Sequence, residues 1–204
     1  MTADLATGAD GLARCWWGGS TADYLVYHDT EWGQPVGTDD ALFERLSLEA
    51  FQSGLSWLTI LRKRAAFRDA FAGFVIERVA EFGDEDVVRL LGDPGIVRNR
   101  AKIEATIANA RAAAGLPDGL ATLLWSFAPT GPRVRPATLA EVPARTAESA
   151  AMAAELRRRG LRFVGPTTAY ALMQATGMVD DHLQGCHVAA IPGRVTGITG
   201  SGST

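Results

Sequence analysis

Helix start and stop signals recur along this chain while strand signals are nearly absent, and that pattern limits the fold more than any other feature. Thr38 and Asp39 open a segment that runs to about Gly54, and Ser56 opens the next, which carries Trp57, Ile60 and Leu61. Threonine and serine oxygens satisfy N–H groups that a helix leaves without partners at its start. A short helix from Asp84 stops at Gly92-Asp93-Pro94-Gly95. Another spans about Asn99 to Ala114, with Ile103, Ile107 and Ala110 at helical spacing and Gly115 as its stop. Thr146 opens a segment ending at Gly160 behind three arginines, which suit the negative end of a helix dipole. Pro166 begins a last helix that Gly177 closes. The proline-bearing stretches 116–118 and 129–143 are connections. The expected fold class is all-α.

A chain of 204 residues builds one good core, or two small lobes sharing one. A single domain is expected over residues 14–190, as two helical lobes around one pocket, with residues 1–13 and 193–204 as flexible tails. No apolar run approaches the ~20 residues needed to span a bilayer. Met1 to Ala13 lacks the basic and apolar regions of a signal peptide, so the expectation is a cytoplasmic protein without membrane association. The formal net charge of -3 argues against a protein that coats nucleic acid nonspecifically, but leaves room for a local basic face. Basic residues cluster at Arg62-Lys63-Arg64, at Arg98, Arg100 and Lys102, and at Arg157-Arg158-Arg159 with Arg162.

The two cysteines lie near opposite ends of the chain, and each has a histidine within reach. Cys15, His28, His182 and Cys186 together have the chemistry of a tetrahedral metal site. His182 and Cys186 are four apart, which predicts one face of a helical turn. A Cys2His2 set with no open position is the structural type of zinc site, not the catalytic type. Such a site fastens the first segment to the last, closing a loop of ~170 residues and restraining the unfolded chain by several kcal/mol. Spacing leaves two alternatives open: the half-sites never meet, or His187 replaces His182.

The first sixty residues concentrate large aromatics, among them Trp16, Trp17, Tyr24, Tyr27, Trp32 and Trp57. Glu49 falls among them, three residues after Leu46 and seven after Leu42, at the edge of an apolar helical stripe. A carboxylate there must pair with a neighbouring arginine, become neutral or face a cavity. Aromatic faces beside a carboxylate make a site for a flat cation.

These segments are recognisable. The stretch Tyr24-Leu-Val-Tyr27-His28-Asp29-Thr-Glu31-Trp32-Gly33 resembles the N-terminal signature of the 3-methyladenine DNA glycosylase I family, and so does Leu48-Glu49-Ala-Phe-Gln52-Ser-Gly54-Leu55-Ser56-Trp57. Gly95-Ile-Val-Arg98-Asn99-Arg100-Ala-Lys102-Ile103 is similar to its hairpin segment. Leu124-Trp125-Ser126-Phe127, Phe163-Val164-Gly165 with Pro166-Thr167-Thr168, and Asp181-His182 with Gly185-Cys186 continue the similarity in order.

The resemblance implies an all-helical fold of the helix-hairpin-helix glycosylase superfamily, with one structural zinc joining the N- and C-terminal segments. It implies Cys15, His28, His182 and Cys186 as ligands, and favours His182 over His187. It also implies base excision repair: double-stranded alkylated DNA is bound, a nucleotide is flipped out, and free 3-methyladenine is released by a monomeric enzyme. Glu49 and Tyr27 are the residues implied for catalysis, with Trp57, Trp32, Trp17, Tyr24 and Gln52 around the base. Leu55, Gly95, Arg98, Arg100 and Lys102 are the expected DNA contacts. The pocket is expected to be separate from the metal. The segment from Gly95 lacks the superfamily's paired-glycine hairpin loop, and its usual catalytic aspartate has no convincing counterpart, Asp118 being the only acid in roughly that place. The only lysines are Lys63 and Lys102, neither placed for Schiff-base chemistry, so no lyase activity is expected.

Overall fold

A computed structural model describes residues 4–131 and 134–190. Two short strands, β1 (Leu5–Thr7) and β2 (Ala13–Cys15), precede the helices. The helices are α1 (Ala22–Thr30), α2 (Asp39–Gln52), α3 (Trp57–Ala70), α4 (Ile76–Ala80), α5 (Asp84–Gly92), α6 (Arg100–Ala114), α7 (Gly119–Trp125), α8 (Ala147–Arg158) and α9 (Pro166–Ala175). The described chain is therefore mostly helical, with one hairpin that the all-α expectation omitted. In that hairpin Leu5 pairs with Cys15 and Thr7 with Ala13, antiparallel. Residues 5–13 thus correct the expectation of a flexible tail, since three-residue strands are too short to show an alternating pattern. The tail expected at 193–204 lies outside the described residues.

The helix starts follow the predicted caps. Thr38 Oγ1 accepts from the Ala41 N–H at 3.4 Å, Ser56 Oγ from Thr59 at 3.2 Å, and Asn99 Oδ1 from Lys102 at 3.2 Å. Thr146 and Ser149 cap each other reciprocally, at 3.2 and 2.9 Å. Such caps stabilise a helix by about 1 kcal/mol each.

Helix α2 packs against α3, α6, α7 and α9. Its buried face carries Leu42, Phe43, Leu46 and Phe51. Phe51 meets Phe67 at 4.7 Å, and Phe71 stacks on Phe74 at 5.4 Å. Burying each such side chain stabilises the fold by roughly 1.5–3 kcal/mol. The first turn of α2 also caps its neighbours: Asp39 Oδ1 accepts from the Ala121 N–H at 2.7 Å, and Asp40 Oδ1 from Ile76 at 2.9 Å. At the other end of α2, Lys102 Nζ donates to the carbonyls of Phe51 at 2.9 Å and Ser53 at 2.6 Å. This end of α2 is thereby held in place beside α1 and the start of α3. No helix among the described residues is long and apolar enough to cross a membrane.

A candidate metal centre beside an aromatic pocket

Cys15 ends β2, His28 lies on α1, and His182 and Cys186 bracket a turn after α9. The expected helical turn is absent there. A tight turn closed by Cys186 N–H to Leu183 C=O at 3.0 Å, with Gly185 at φ 86°, brings the pair together instead. The four buried ligand atoms lie within 4.8 Å of one another. Cys186 Sγ is 3.5 Å from His28 Nε2 and 3.6 Å from His182 Nδ1, and Cys15 Sγ is 3.9 Å from His182 Nδ1. A tetrahedral ion with ~2.3 Å bonds to sulfur and ~2.05 Å bonds to nitrogen has S···N edges of about 3.6 Å. The donor set therefore fits a metal ion.

The outer hydrogen bonds fit as well. His182 Nε2 donates to the Trp32 carbonyl at 3.2 Å, and His28 Nδ1 donates to Asp29 Oδ1 at 2.8 Å. Each leaves the other ring nitrogen as a lone pair facing the sulfurs, the arrangement metal-bound histidines usually show. Asp29 also accepts from Arg14 Nη2 at 2.8 Å and from His187 Nε2 at 3.0 Å. Burial acts to raise the Asp29 carboxyl, but these donors hold it well below the usual range. His187 thus braces Asp29 in the outer layer while His182 stands among the inner four.

A pocket of about 370 Å³ opens against this cluster. Trp17, Tyr24, Tyr27, Trp32 and Trp57 supply one wall, and Gln52 lies among them. Trp17 meets Trp32 edge-on at 5.0 Å and Tyr24 at 5.6 Å, while Tyr27 lies 5.5 Å from Trp57. Tyr24 Oη accepts from the Leu58 N–H at 3.1 Å, which pins the first turn of α3 and with it Trp57. The Trp57 indole N–H is buried with no acceptor among the described residues. The pocket is not separate from the metal cluster, contrary to expectation. Trp17 meets His28 at 5.1 Å, Trp32 meets His182 at 4.7 Å, and Cys15 lines the pocket itself. Folding brings together segments whose spacing in the chain suggested two sites.

Glu49 reaches this pocket from the last turn of α2, only 6% exposed, and makes no hydrogen bond or ion pair among the described residues. The arginine one turn earlier serves another acid. Arg45 Nη2 donates to Glu31 at 2.9 Å, and Arg64 grips the same carboxylate at 2.6 and 2.7 Å. Burial pushes the Glu49 carboxyl up to about 8, only partly offset by the charge of Arg45. The phenol of Tyr27 is pushed up too, by its burial and then by Glu49, so it stays protonated. Glu49 and Asp181 are the charged residues lining the pocket, and no lysine or arginine joins them. Aromatic faces with acids and no cation suit a flat, positively charged guest.

The remaining expected residues lie on the surface or inside it. Leu55 is 42% exposed on the turn between α2 and α3, beside Gly54 at φ 83°. Gly95 approaches α3 so closely that a Cβ there would stand 2.9 Å from that of Ala66. Arg98 is exposed, and Arg100 is exposed and pairs with Glu104 at 3.2 Å. Lys102 is a correction: it is 7% exposed and spent on the carbonyls ending α2, so it does not face solvent as a DNA contact must. Asp118 does not line the pocket. Sequence reasoning missed Gln174, which also lines the pocket, and gave no role to Asp181. It also missed the turn between α8 and α9. There Asn109 clamps the backbone of Arg162 at 3.1 and 2.7 Å, and Phe163 is exposed at φ 56°.

A family model described as methyladenine glycosylase matches residues 17–189. The chain is 44% identical over 179 residues to DNA-3-methyladenine glycosylase 1 of Escherichia coli, covering 86% of this chain and 96% of that protein. It is 40% identical over 177 residues to DNA-3-methyladenine glycosylase of Haemophilus influenzae, covering 85% and 96%. Among solved structures, a crystal structure of 3-methyladenine DNA glycosylase I superposes with a TM-score of 0.82 at 43% identity, covering 85% of this chain and 98% of that one. A variant of 3-methyladenine DNA glycosylase I in complex with 3-methyladenine superposes with a TM-score of 0.83 at 32% identity, covering 89% and 99%.

Proposed function

Because this chain belongs to the methyladenine glycosylase family, we infer that it is a DNA repair enzyme that hydrolyses the N-glycosidic bond of 3-methyladenine in alkylated DNA. The observation that carries this reading is Glu49, a buried carboxylate with no partner of its own in a pocket walled by aromatic rings. A base inside a duplex cannot reach such a pocket, so the nucleotide is extruded into it. Methylation at N3 makes the adenine cationic and weakens its bond to the sugar, so little acid catalysis is needed. Glu49 then supplies selectivity by favouring the cation over neutral adenine, with Trp57 and Trp32 as stacking faces and Tyr27 and Gln52 beside the ring. Trp17 and Tyr24 complete that wall. Water attacks the sugar and leaves an abasic site.

Both lysines are engaged with backbone carbonyls, Lys63 with Pro94 and Gly95 and Lys102 with Phe51 and Ser53, which supports a glycosylase without lyase chemistry. For the metal we propose zinc on Cys15, His28, His182 and Cys186. Four protein ligands leave no open position, so the ion supplies a cross-link between the N-terminal hairpin and the segment after α9. Residues 14–190 are then one domain, with the pocket lined by residues of α1–α3 together with residues of α9 and the segment after it.

For DNA, Leu55 is placed to fill the space left by the flipped nucleotide. Arg98, Arg100 and the turn at Gly95 are candidates for backbone phosphates, joined by the turn before α9 with Arg162 and Phe163. We propose double-stranded alkylated DNA as the substrate, free 3-methyladenine as the product and a monomer as the working state. The deciding experiment is release of 3-methyladenine from methylated DNA by the purified protein. A protein that binds this DNA without releasing base is a binding module instead.

A further inference from the structure

Arg45 and Glu49 stand one turn apart on α2, and each carries a polar group with no partner of its own. Arg45 Nη1 is buried and meets no acceptor among the described residues. Glu49, equally buried, accepts from no donor there. Side chains four apart on a helix are surface neighbours, and a guanidinium on its long stem spans that gap. Arg45 is bound through one nitrogen: Nη2 donates to Glu31 Oε2 at 2.9 Å, while Arg64 takes both oxygens of the same carboxylate, at 2.6 and 2.7 Å. Two arginines thus share one acid, and one positive charge is left over on the helix that carries Glu49. A buried charge without a counter-charge is costly, and so is a buried N–H without an acceptor.

On the glycosylase reading above, in which Glu49 must be ionised to favour a cation, we propose that Arg45 is the positioning residue for Glu49. Its free Nη1 donates to the Glu49 carboxylate once that group gives up its proton, holding one oxygen and leaving the other for the base. The two are not bonded to each other in the structure, and a turn of the guanidinium about its stem closes the pair. Ionised, Glu49 cancels the surplus charge of the two arginines. Burial holds the Glu49 carboxyl up to about 8, and Arg45 is the charge that pulls it down. The other groups around Glu49 do not take this part. Tyr27 of α1 stays protonated, and the Cys15 thiol and the Asp181 carboxyl, which line the same pocket, bring no positive charge. Arg64 of α3 is matched to Glu31, and Lys102 of α6 to the carbonyls of Phe51 and Ser53. Glu44, on α2 itself, pairs with Arg68.

The test follows side-chain carboxyl carbons by NMR across pH in parent, Arg45→Met and Arg45→Lys, each labelled at glutamate, with Glu49 assigned as the signal missing from Glu49→Gln. Arg45→Met should raise the Glu49 midpoint by about one pH unit, the effect of losing an adjacent opposite charge. Excision of 3-methyladenine at neutral pH and subsaturating enzyme should fall ~10-fold in step, because the ionised fraction falls by that factor. Arg45→Lys keeps the charge and should stay close to the parent in both. An unmoved midpoint in Arg45→Met overturns the proposal. So does an equal rise in Arg45→Lys, which marks lost packing rather than lost charge. If Arg45→Met does not fold, Arg45→Gln, which can still donate to Glu31, decides by the same shift. A parent that excises nothing overturns the glycosylase reading, whereas the carboxyl titration still decides whether Arg45 acts on Glu49.

Discussion

The carbonyl of Trp32 accepts a hydrogen bond from His182 Nε2 at 3.2 Å while the two rings meet edge to face at 4.7 Å. One residue thereby fixes which His182 ring nitrogen faces the two sulfurs and also lines the aromatic pocket. Metal and pocket should fail together. Freshly purified protein should carry about one equivalent of zinc, and His182→Ala should lose it while His187→Ala keeps it. Chelation should shift tryptophan fluorescence and weaken 3-methyladenine binding. Zinc retained by His182→Ala, or unaltered base binding after chelation, refutes this coupling.

Glu49→Gln keeps size and some hydrogen bonding but loses the charge. It should bind DNA carrying the cationic base clearly more weakly and excise that base more slowly by a comparable factor, while staying folded. A general base would instead affect mainly the chemical step, by ~100- to 10,000-fold. Parent-like affinity for that DNA with catalysis lost on that scale assigns Glu49 to proton transfer.

The same residue sets a pH dependence. Glu49 holds its proton up to about 8 in the fold, against 4.5 for an unperturbed carboxyl, chiefly because burial disfavours its charge. Its contribution to stability is full below the lower value and is lost as pH rises through the higher one. Glu49→Gln has no such proton to lose, so its Tm relative to the parent should rise between pH 5 and pH 8.5. An unchanged Tm difference across that range removes this account of Glu49.

At subsaturating enzyme, where the rate reports the free protein, excision of a permanently cationic base should also grow with pH until Glu49 is ionised, and level off above about 8. A single-turnover rate on methylated DNA that is flat from pH 6 to 9 contradicts it.

The basic residues should separate by where they point. Arg98→Ala with Arg100→Ala should weaken DNA binding for all sequences and lower the salt slope by about one per lost phosphate contact. Lys102→Ala should leave the slope alone and lower stability by about 1–3 kcal/mol, since two carbonyls at the end of α2 lose their donor. Binding measured across salt concentrations, alongside thermal denaturation, distinguishes the two. A changed slope for Lys102→Ala would return it to the DNA face.

Helices could be located from local signals alone, because a cap such as Thr38 or Asn99 acts within three residues of itself and an apolar stripe repeats within one turn. The ordered motifs from Tyr24 to Cys186 likewise identified the family before any coordinate was known. Whatever depends on distant segments meeting was decided only by the tertiary structure. The hairpin of β1 and β2 was too short to show a period, and Lys102 sits among basic neighbours yet turns inward, because two carbonyls some fifty residues earlier in the chain come within reach. Whether Glu49 pairs with an arginine could not be read from spacing, since Arg45 is a turn away on the same helix but is taken by Glu31, just past the end of α1. Asp181 shows the limit most plainly. The motif names it, but only packing of α9 against the first sixty residues turns it toward the pocket and sets Tyr170 and Gln174 on its one oxygen.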